Sequence, residues 1–429
     1  MTKQTKLDNQ QRVHAPSGAA HDQSQPNMPF AEFIILMAML MSLPALSTDA
    51  ILPSLETVGL QLGHTDAQEL QKVITALFAG LAIGQLFYGP LSDQLGRKKS
   101  IFIGLAIFIV GNILSMVSTS FEMLLFGRFM QGIGVAGPRI VLIALVRDLF
   151  VGRAMARVMS FVMGVFIFVP VIAPILGQAV SHIAGWRSLF MFFVLLSTIG
   201  GVWLLIRQNE TLPLSRRIKI TPSTLWSGTR TVFSTVSCVG YMIGAGVVMG
   251  PFILYISIAQ NLFQSTYGLG ENFPYFFAGL AISIGIASFS NSRLVIRFGM
   301  RRLAKTAVTA LVILAAITLA ISFPYGFVPP LWLLIALFFP MFFCIGLMFG
   351  NLNSLAMEEV GHVAGMASAW VGALSTFVGM GIATALGQIY DGTILAMVGA
   401  FVICGLTTLG IIVLTEKYRG EHEASGGIH

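Results

Sequence analysis

Three charged residues stand inside long apolar stretches, and they carry the chemistry this sequence could do. Asp49 lies in SLPALSTDAILPSL, and Arg128 and Arg139 lie in LLFGRFMQGIGVAGPRIVLIALVRD. A charge at the centre of a bilayer costs about 3 kcal/mol on insertion scales, so such residues face protein or water and are functional candidates. The two arginines are 11 residues apart, which places them on almost the same face of a helix, about 16 Å apart along its axis. A carboxyl group near a guanidinium can bind and release a proton as its solvation alternates. Asp49 and Arg128, expected at matching depths, are therefore the candidates for proton coupling; a static ion pair or a helix cap is the competing role. Arg139, Gln131, Asn112, Tyr241, Tyr255, Asn351 and Trp370, with Asn353, bring polar atoms into apolar spans. They are candidates for lining a cavity, against the commoner role of hydrogen bonds between helices.

Other chemistries find no residues. The seven His lie in tails, loops or span ends, and Cys238, Cys344 and Cys404 sit in separate apolar segments without ligand spacing. The cysteines are expected to be small core residues. No metal, nucleotide or nucleophile constellation and no Walker loop is present, which argues against an enzyme, a cofactor and ATP as energy source.

The elements that must position these residues follow from composition. Hydrophobic residues make up 55% of the 429 and charged residues only 10%, with a mean hydropathy of +0.83. Soluble domains are about 25% charged, so most of this chain is expected in lipid. Apolar segments long enough to cross a bilayer run from Phe30 to Leu52, Leu70 to Leu91, Ile101 to Ser118, Met123 to Val146, Val158 to Ala184 and Leu189 to Ile206. A second set runs from Val232 to Ile258, Phe273 to Val295, Leu303 to Phe323, Leu331 to Leu355, Val363 to Ile389 and Leu395 to Leu414. The expected organisation is a tail over 1–29, a six-helix bundle over 30–206, a linker over 207–231, a second bundle over 232–415 and a tail over 416–429. The basic residues Arg97, Lys98, Lys99, Arg147, Arg153, Arg157, those of the linker, and Arg293, Arg297, Arg301, Arg302 and Lys305 fall on one side, against Lys72 and Arg187 on the other. The positive-inside rule then makes both termini and the linker cytoplasmic. The net charge of +7 thus reports topology and not a nucleic-acid partner.

One loop occurs twice. GPLSDQLGRKKSI, from Gly89 to Ile101, lies over SRLVIRFGMRRLA, from Ser292 to Ala304, each after the second span of its half; this points to an internal duplication. In the first copy Asp93 ends a helix, where the dipole disfavours an acid. It needs a partner, either the adjacent basic cluster or the amino terminus of another helix. Gly89 permits close approach and Gly96 a tight turn, so the loop reads as a conformational latch.

GPLSDQLGRKK resembles the loop motif between helices two and three of the major facilitator superfamily. By that resemblance Gly89, Asp93, Gly96 and Arg97 steady one state of the transport cycle, with Asp148 as partner of Arg97. GRFMQGIG resembles the family's motif on helix four tied to proton coupling, which gives those positions to Arg128, Gln131 and Gly132. GVFIFVPVIAPILGQ resembles the antiporter motif of helix five through Pro170, Pro174 and Gly177, with Ala173 and Gln178 departing from it. Over residues 30–206 the likeness is to the Bcr/CflA branch of drug/proton antiporters. The resemblance implies an all-α membrane protein of two pseudo-symmetric six-helix bundles, acting as a monomer in the bacterial inner membrane. Its partners would be a small-molecule substrate, protons and lipid, and its activity the export of amphipathic or drug-like compounds, as in antibiotic resistance. The alternative is a dedicated exporter of one endogenous metabolite, and the excess of buried Arg over Asp suits an anionic one.

Overall fold

The computed structural model describes residues 28–150, 152–217 and 221–425. All but the last two residues of the expected amino-terminal tail, the final four of the carboxy-terminal tail and Lys219 of the linker lie outside them. Among the described residues there is no strand, and 12 helices are long and apolar enough to cross a membrane. They are α1 (Phe30–Asp49), α2 (Ala67–Leu95), α3 (Arg97–Met116), α4 (Phe121–Leu149), α5 (Gly152–Ala184) and α6 (Arg187–Arg207), followed by α7 (Val236–Gln260), α8 (Phe273–Phe298), α9 (Met300–Ser322), α10 (Leu331–Met357), α11 (Ala364–Gly387) and α12 (Leu395–Ser425). Lipid offers no hydrogen-bond partners, so each span must satisfy its own backbone, and only its ends depend on local chemistry. Asp66 and Ser120 begin α2 and α4 by accepting from the backbone N–H of Gln68 and Met123 at 2.9 and 3.2 Å, the usual N-cap contact. Gly96 ends α2 at φ 99°, a conformation that side chains resist.

The expected spans and the observed helices part at several ends: α5 starts at Gly152 and not Val158, and α12 runs on to Ser425, through most of the expected tail from 416. α1 stops at Asp49, because Pro53 forces a short turn over Leu52–Ser54 before a helical segment over Leu55–Leu62. The seventh span begins at Val236 and not Val232: Thr235 is extended, and the expected irregular linker holds a helix of its own, Pro222–Ser234. That helix is held on α11 by Gly228 against Met366 and by the Trp370 indole N–H donating to the Thr229 hydroxyl at 3.0 Å.

The packing repeats from one half to the other. In the first half α4 lies against α2 and α3, α3 against α6, and α1 against α5; in the second α10 lies against α8 and α9, α9 against α12, and α7 against α11. The halves meet through α2 with α11 and α5 with α8, which are equivalent pairs under the same repeat. On the side away from the linker, Gln68 donates to the Gln388 carbonyl at 3.1 Å, Gln178 to the Glu271 carbonyl at 3.0 Å and Gln260 to Glu56 at 3.3 Å, and His182 meets Glu271 at 3.0 Å. On the linker side α2 still touches α11, Gly89 lying against Gly365, but from 288 to 300 α8 buries no residue. The seam is therefore tight away from the linker and looser towards it.

The duplicated loop carries a clasp in each half, one position apart: with Gly96 over Gly299, Arg97 lies over Met300 and Lys98 over Arg301. Arg97, 4% exposed at its side chain, donates to Asp93 at 2.5 Å and to Asp148 at 2.8 Å, while Glu210 accepts from the backbone N–H of Arg97 and Lys98 at 2.8 and 3.1 Å. Glu210 thus places an anion at the amino terminus of α3, where the helix dipole favours it. In the second half Arg301 pairs with Glu358, at the end of α10, and with Glu416 of α12, at 2.5 and 3.1 Å. In both halves an arginine at the start of the third helix pairs with an acid at the end of the fourth, and an acid at or beyond the end of the sixth joins it. The two clasps differ in burial, since the Arg301 side chain is 35% exposed. We expect Arg97→Ala, which strands two carboxylates, to cost about 3 kcal/mol, and Arg301→Ala about 1 kcal/mol or less. Thermal unfolding in detergent checks the order, and equal losses would contradict it.

Candidate functional site

Asp49 is the last residue of α1 and is only 5% exposed. Among the described residues its carboxyl makes no ion pair and no hydrogen bond. Its position is set by contact with α5: a Cβ on Gly177 would lie 1.9 Å from the carbonyl oxygen of Ala50. Only a residue without a side chain lets α5 press directly on the end of α1, and Pro174 and Pro170 lie one and two turns away within the same helix.

Arg128 is fully buried. Its Nε donates to the Val73 carbonyl of α2 at 3.1 Å, and its Nη1 to the Ser47 carbonyl of α1 at 2.9 Å and to Gln131 Oε1 at 2.8 Å. Gln131 Nε2 donates in turn to Asn112 Oδ1 and Ser115 Oγ, at 3.1 and 3.2 Å, and Asn112 Nδ2 to the Phe108 carbonyl at 2.7 Å. Gly132 lies beside this network against Leu77 of α2. Arg128 Nη2 is left without a partner. The expected Asp49–Arg128 ion pair is thus absent here: the guanidinium binds the same helix end through Ser47, two residues before Asp49. A carbonyl cluster replaces the carboxylate because α1 presents its last-turn backbone, and not the Asp49 side chain, to α4.

Across the seam lies Tyr255 of α7. Its ring packs on Phe342 and Phe277, with centroids 4.7 and 5.7 Å away, and its buried hydroxyl has no partner. The turn that follows Asp49, over Leu52–Ser54, packs against α7. The end of α1 thus carries an unpaired acid and holds an arginine with a free Nη2, and α7, against the turn that follows, carries a tyrosine with a free hydroxyl.

The other cavity candidates separate by environment. Gln131 and Asn112 lie inside the first half and are fully buried, so they do not line a cavity. Tyr241 donates to Glu416 in the second clasp, Asn351 to Asn291 of α8 at 2.7 Å, and Trp370 holds the linker helix. Each polar atom found a neighbouring helix, the cheaper solution in lipid. Asn353 is exposed on α10. Arg139 also departs from expectation: it is exposed, not buried, although Pro138 and Gly137 beside it lie against Gly104 of α3 and Tyr88 of α2. Glu210, Glu358, Glu416 and Glu56 were not singled out in the sequence. Extending the duplicated loop to its acidic partners is the signal that would have found the first three.

Residues 30–384 match the model of the Major Facilitator Superfamily. The chain is 31% identical over 398 residues to the MFS-type transporter YdgK of Bacillus subtilis, covering 90% of this chain and 96% of that one. It is 28% identical over 366 residues to a bicyclomycin resistance protein homolog of Haemophilus influenzae, covering 81% and 86%. It is 27% identical over 315 residues to a chloramphenicol resistance protein of Pseudomonas aeruginosa, covering 71% and 73%. A crystal structure of the peptide transporter POT in complex with sulfate shares the fold, with a TM-score of 0.72 at 13% identity over 93% of this chain and 97% of that one. Two equivalent six-helix halves, the clasp at each duplicated loop and these matches converge: the chain belongs to the Major Facilitator Superfamily, in its Bcr/CflA-like branch.

Proposed function

We propose that this multi-pass membrane transporter is a proton-coupled exporter that exchanges protons for small amphipathic or drug-like compounds by alternating access. The observation that carries the proposal is Asp49, buried and unpaired at the seam between the halves. A tight seam tolerates this carboxyl, which has no ion pair there, only when a proton neutralises its charge. A proton arriving from the side away from the linker lets the seam close as observed. Loss of that proton towards the linker side leaves a carboxylate that takes up the free Nη2 of Arg128 and destabilises the closed seam. Substrate and proton thereby bias the same two-state element, which is the requirement for coupling. The basic linker side is cytoplasmic by the positive-inside rule, and the membrane is the bacterial inner membrane. Relatives named for resistance to bicyclomycin and chloramphenicol support drug-like cargo.

Proteoliposomes with an acidic lumen test the proposal. One-for-one antiport concentrates substrate inside by about tenfold per pH unit, and accumulation that ignores the gradient overturns it. Tyr255→Phe gives a second check. Removing a buried hydroxyl with no partner leaves stability unchanged or raises it by up to about 1 kcal/mol. If that hydroxyl meets the Asp49 carboxylate elsewhere in the cycle, transport falls about tenfold in the same variant; intact transport would remove Tyr255 from the mechanism.

A further inference from the structure

Arg139 follows Pro138 in the middle of α4, about 16 Å towards the linker from Arg128 and about 20° around the helix. The two arginines of one face have opposite circumstances. Arg128 is sealed and bonded to three acceptors. Arg139 has no ion pair, hydrogen bond or ring contact among the described residues and is exposed, although Pro138 and Gly137 beside it lie against Gly104 of α3 and Tyr88 of α2, and Val141 and Leu142 are fully buried. An arginine in that state borders a hollow and does not pack against a neighbour. Ile143, one turn further along the same face, is also exposed at 40%, so the hollow continues towards the linker side.

The nearby acids are taken. Asp93 and Asp148 are held by Arg97, Glu358 and Glu416 by Arg301, and Glu32 by Arg207. Asp49 lies at the level of Arg128, whose guanidinium binds the turn that ends in Asp49. A cation inside a span must face water or an anion, and among the described residues no protein group pairs with Arg139. Its planar fork of donors matches a carboxylate or phosphate and is wasted on a neutral or cationic guest.

We propose that Arg139 is the anchor for an oxyanion, a carboxylate or phosphate, carried by the exported compound, so that the preferred cargo is a small organic acid with an apolar body. The proposal rests on the hollow being the transport path. It narrows drug-like cargo to anionic members and predicts that neutral analogues of the same shape bind more weakly.

The test uses the full chain in detergent and three acid–amide pairs as probes: benzoate with benzamide, 1-naphthoate with 1-naphthamide, and 4-phenylbutyrate with 4-phenylbutyramide. Binding is read by calorimetry. The wild type is expected to bind at least one acid tenfold or more tightly than its amide, the size of a charge-assisted pair. R139Q should bring that ratio close to one and R139K should keep part of it. No preference for any acid in the wild type, or an unchanged ratio in R139Q, overturns the anchor. Uptake of the same pairs into proteoliposomes separates the two proposals. A preference for acids without any response to a pH gradient keeps the anchor and sinks proton coupling; gradient-driven uptake without preference does the reverse.

Discussion

Asp49→Asn is expected to abolish gradient-driven accumulation in proteoliposomes, a loss of more than tenfold, while exchange of labelled for unlabelled substrate across the same membrane persists. Asparagine matches aspartate in size and stays neutral, so it reproduces the proton-loaded side chain. The site is buried and unpaired, and the substitution removes no ion pair and no hydrogen bond of this state. Folding is therefore retained, and the variant's Tm should stay within a few degrees of the wild type. What the variant cannot do is release a proton towards the linker side. Substrate-bound conversion between states remains open to it, and the proton-dependent return is lost. Full gradient-driven transport in this variant would show that the coupled proton is carried elsewhere. Loss of both accumulation and exchange would make Asp49 a structural residue.

Gly177→Val should fail for a different reason and almost as completely. The added Cβ would lie 1.9 Å from the Ala50 carbonyl oxygen and 2.6 Å from its carbon, so α1 and α5 must part by more than about 1 Å, since overpacking is relieved only by backbone movement. We expect a stability loss of about 1–3 kcal/mol. Transport should fall by up to about a hundredfold, the scale of a 1 Å misplacement at a functional group. The clash is with backbone, so Ala50→Gly should not rescue it. Gly164→Ala is the control in the same helix, because nothing lies within 4 Å of its added Cβ. Its expected effect on stability is within about 0.5 kcal/mol. Equal effects at Gly164 and Gly177 would refute the direct contact. The glycine of the antiporter-like motif is thus tied to Asp49 by contact, a link that neither residue discloses in the sequence.

Lipid makes the architecture legible in one dimension. A span needs about 20 apolar residues whatever surrounds it, so 12 spans and the division between two halves could be read from Phe30 to Leu414. Local signals that cost little in that solvent were harder to read. The linker helix Pro222–Ser234 and the break at Thr235 depend on Met366 and Trp370 of α11, more than 130 residues away along the chain. The first clasp could be anticipated in part: a charge at a helix end needs a counter-charge, which sets Asp93 beside the basic cluster, whereas Asp148 was implied only by the likeness to the family's loop motif. The second required Glu358 and Glu416 to be recognised as equivalents of Asp148 and Glu210.

The sequence by itself determined which residues carry charge or polarity into the spans, and Arg128 and Arg139 read alike there, on one face of one helix. The tertiary structure alone decided that one is sealed and bonded to three acceptors and the other an open cation, and that Gln131 and Asn112 are bound into the network of Arg128. A buried polar group is defined by its partners, and those partners come from helices whose order along the chain says nothing about depth or facing. Where helices of the first half close on Arg128, every nitrogen but Nη2 finds a carbonyl or side chain. Where the same face of α4 borders the hollow, Arg139 finds none.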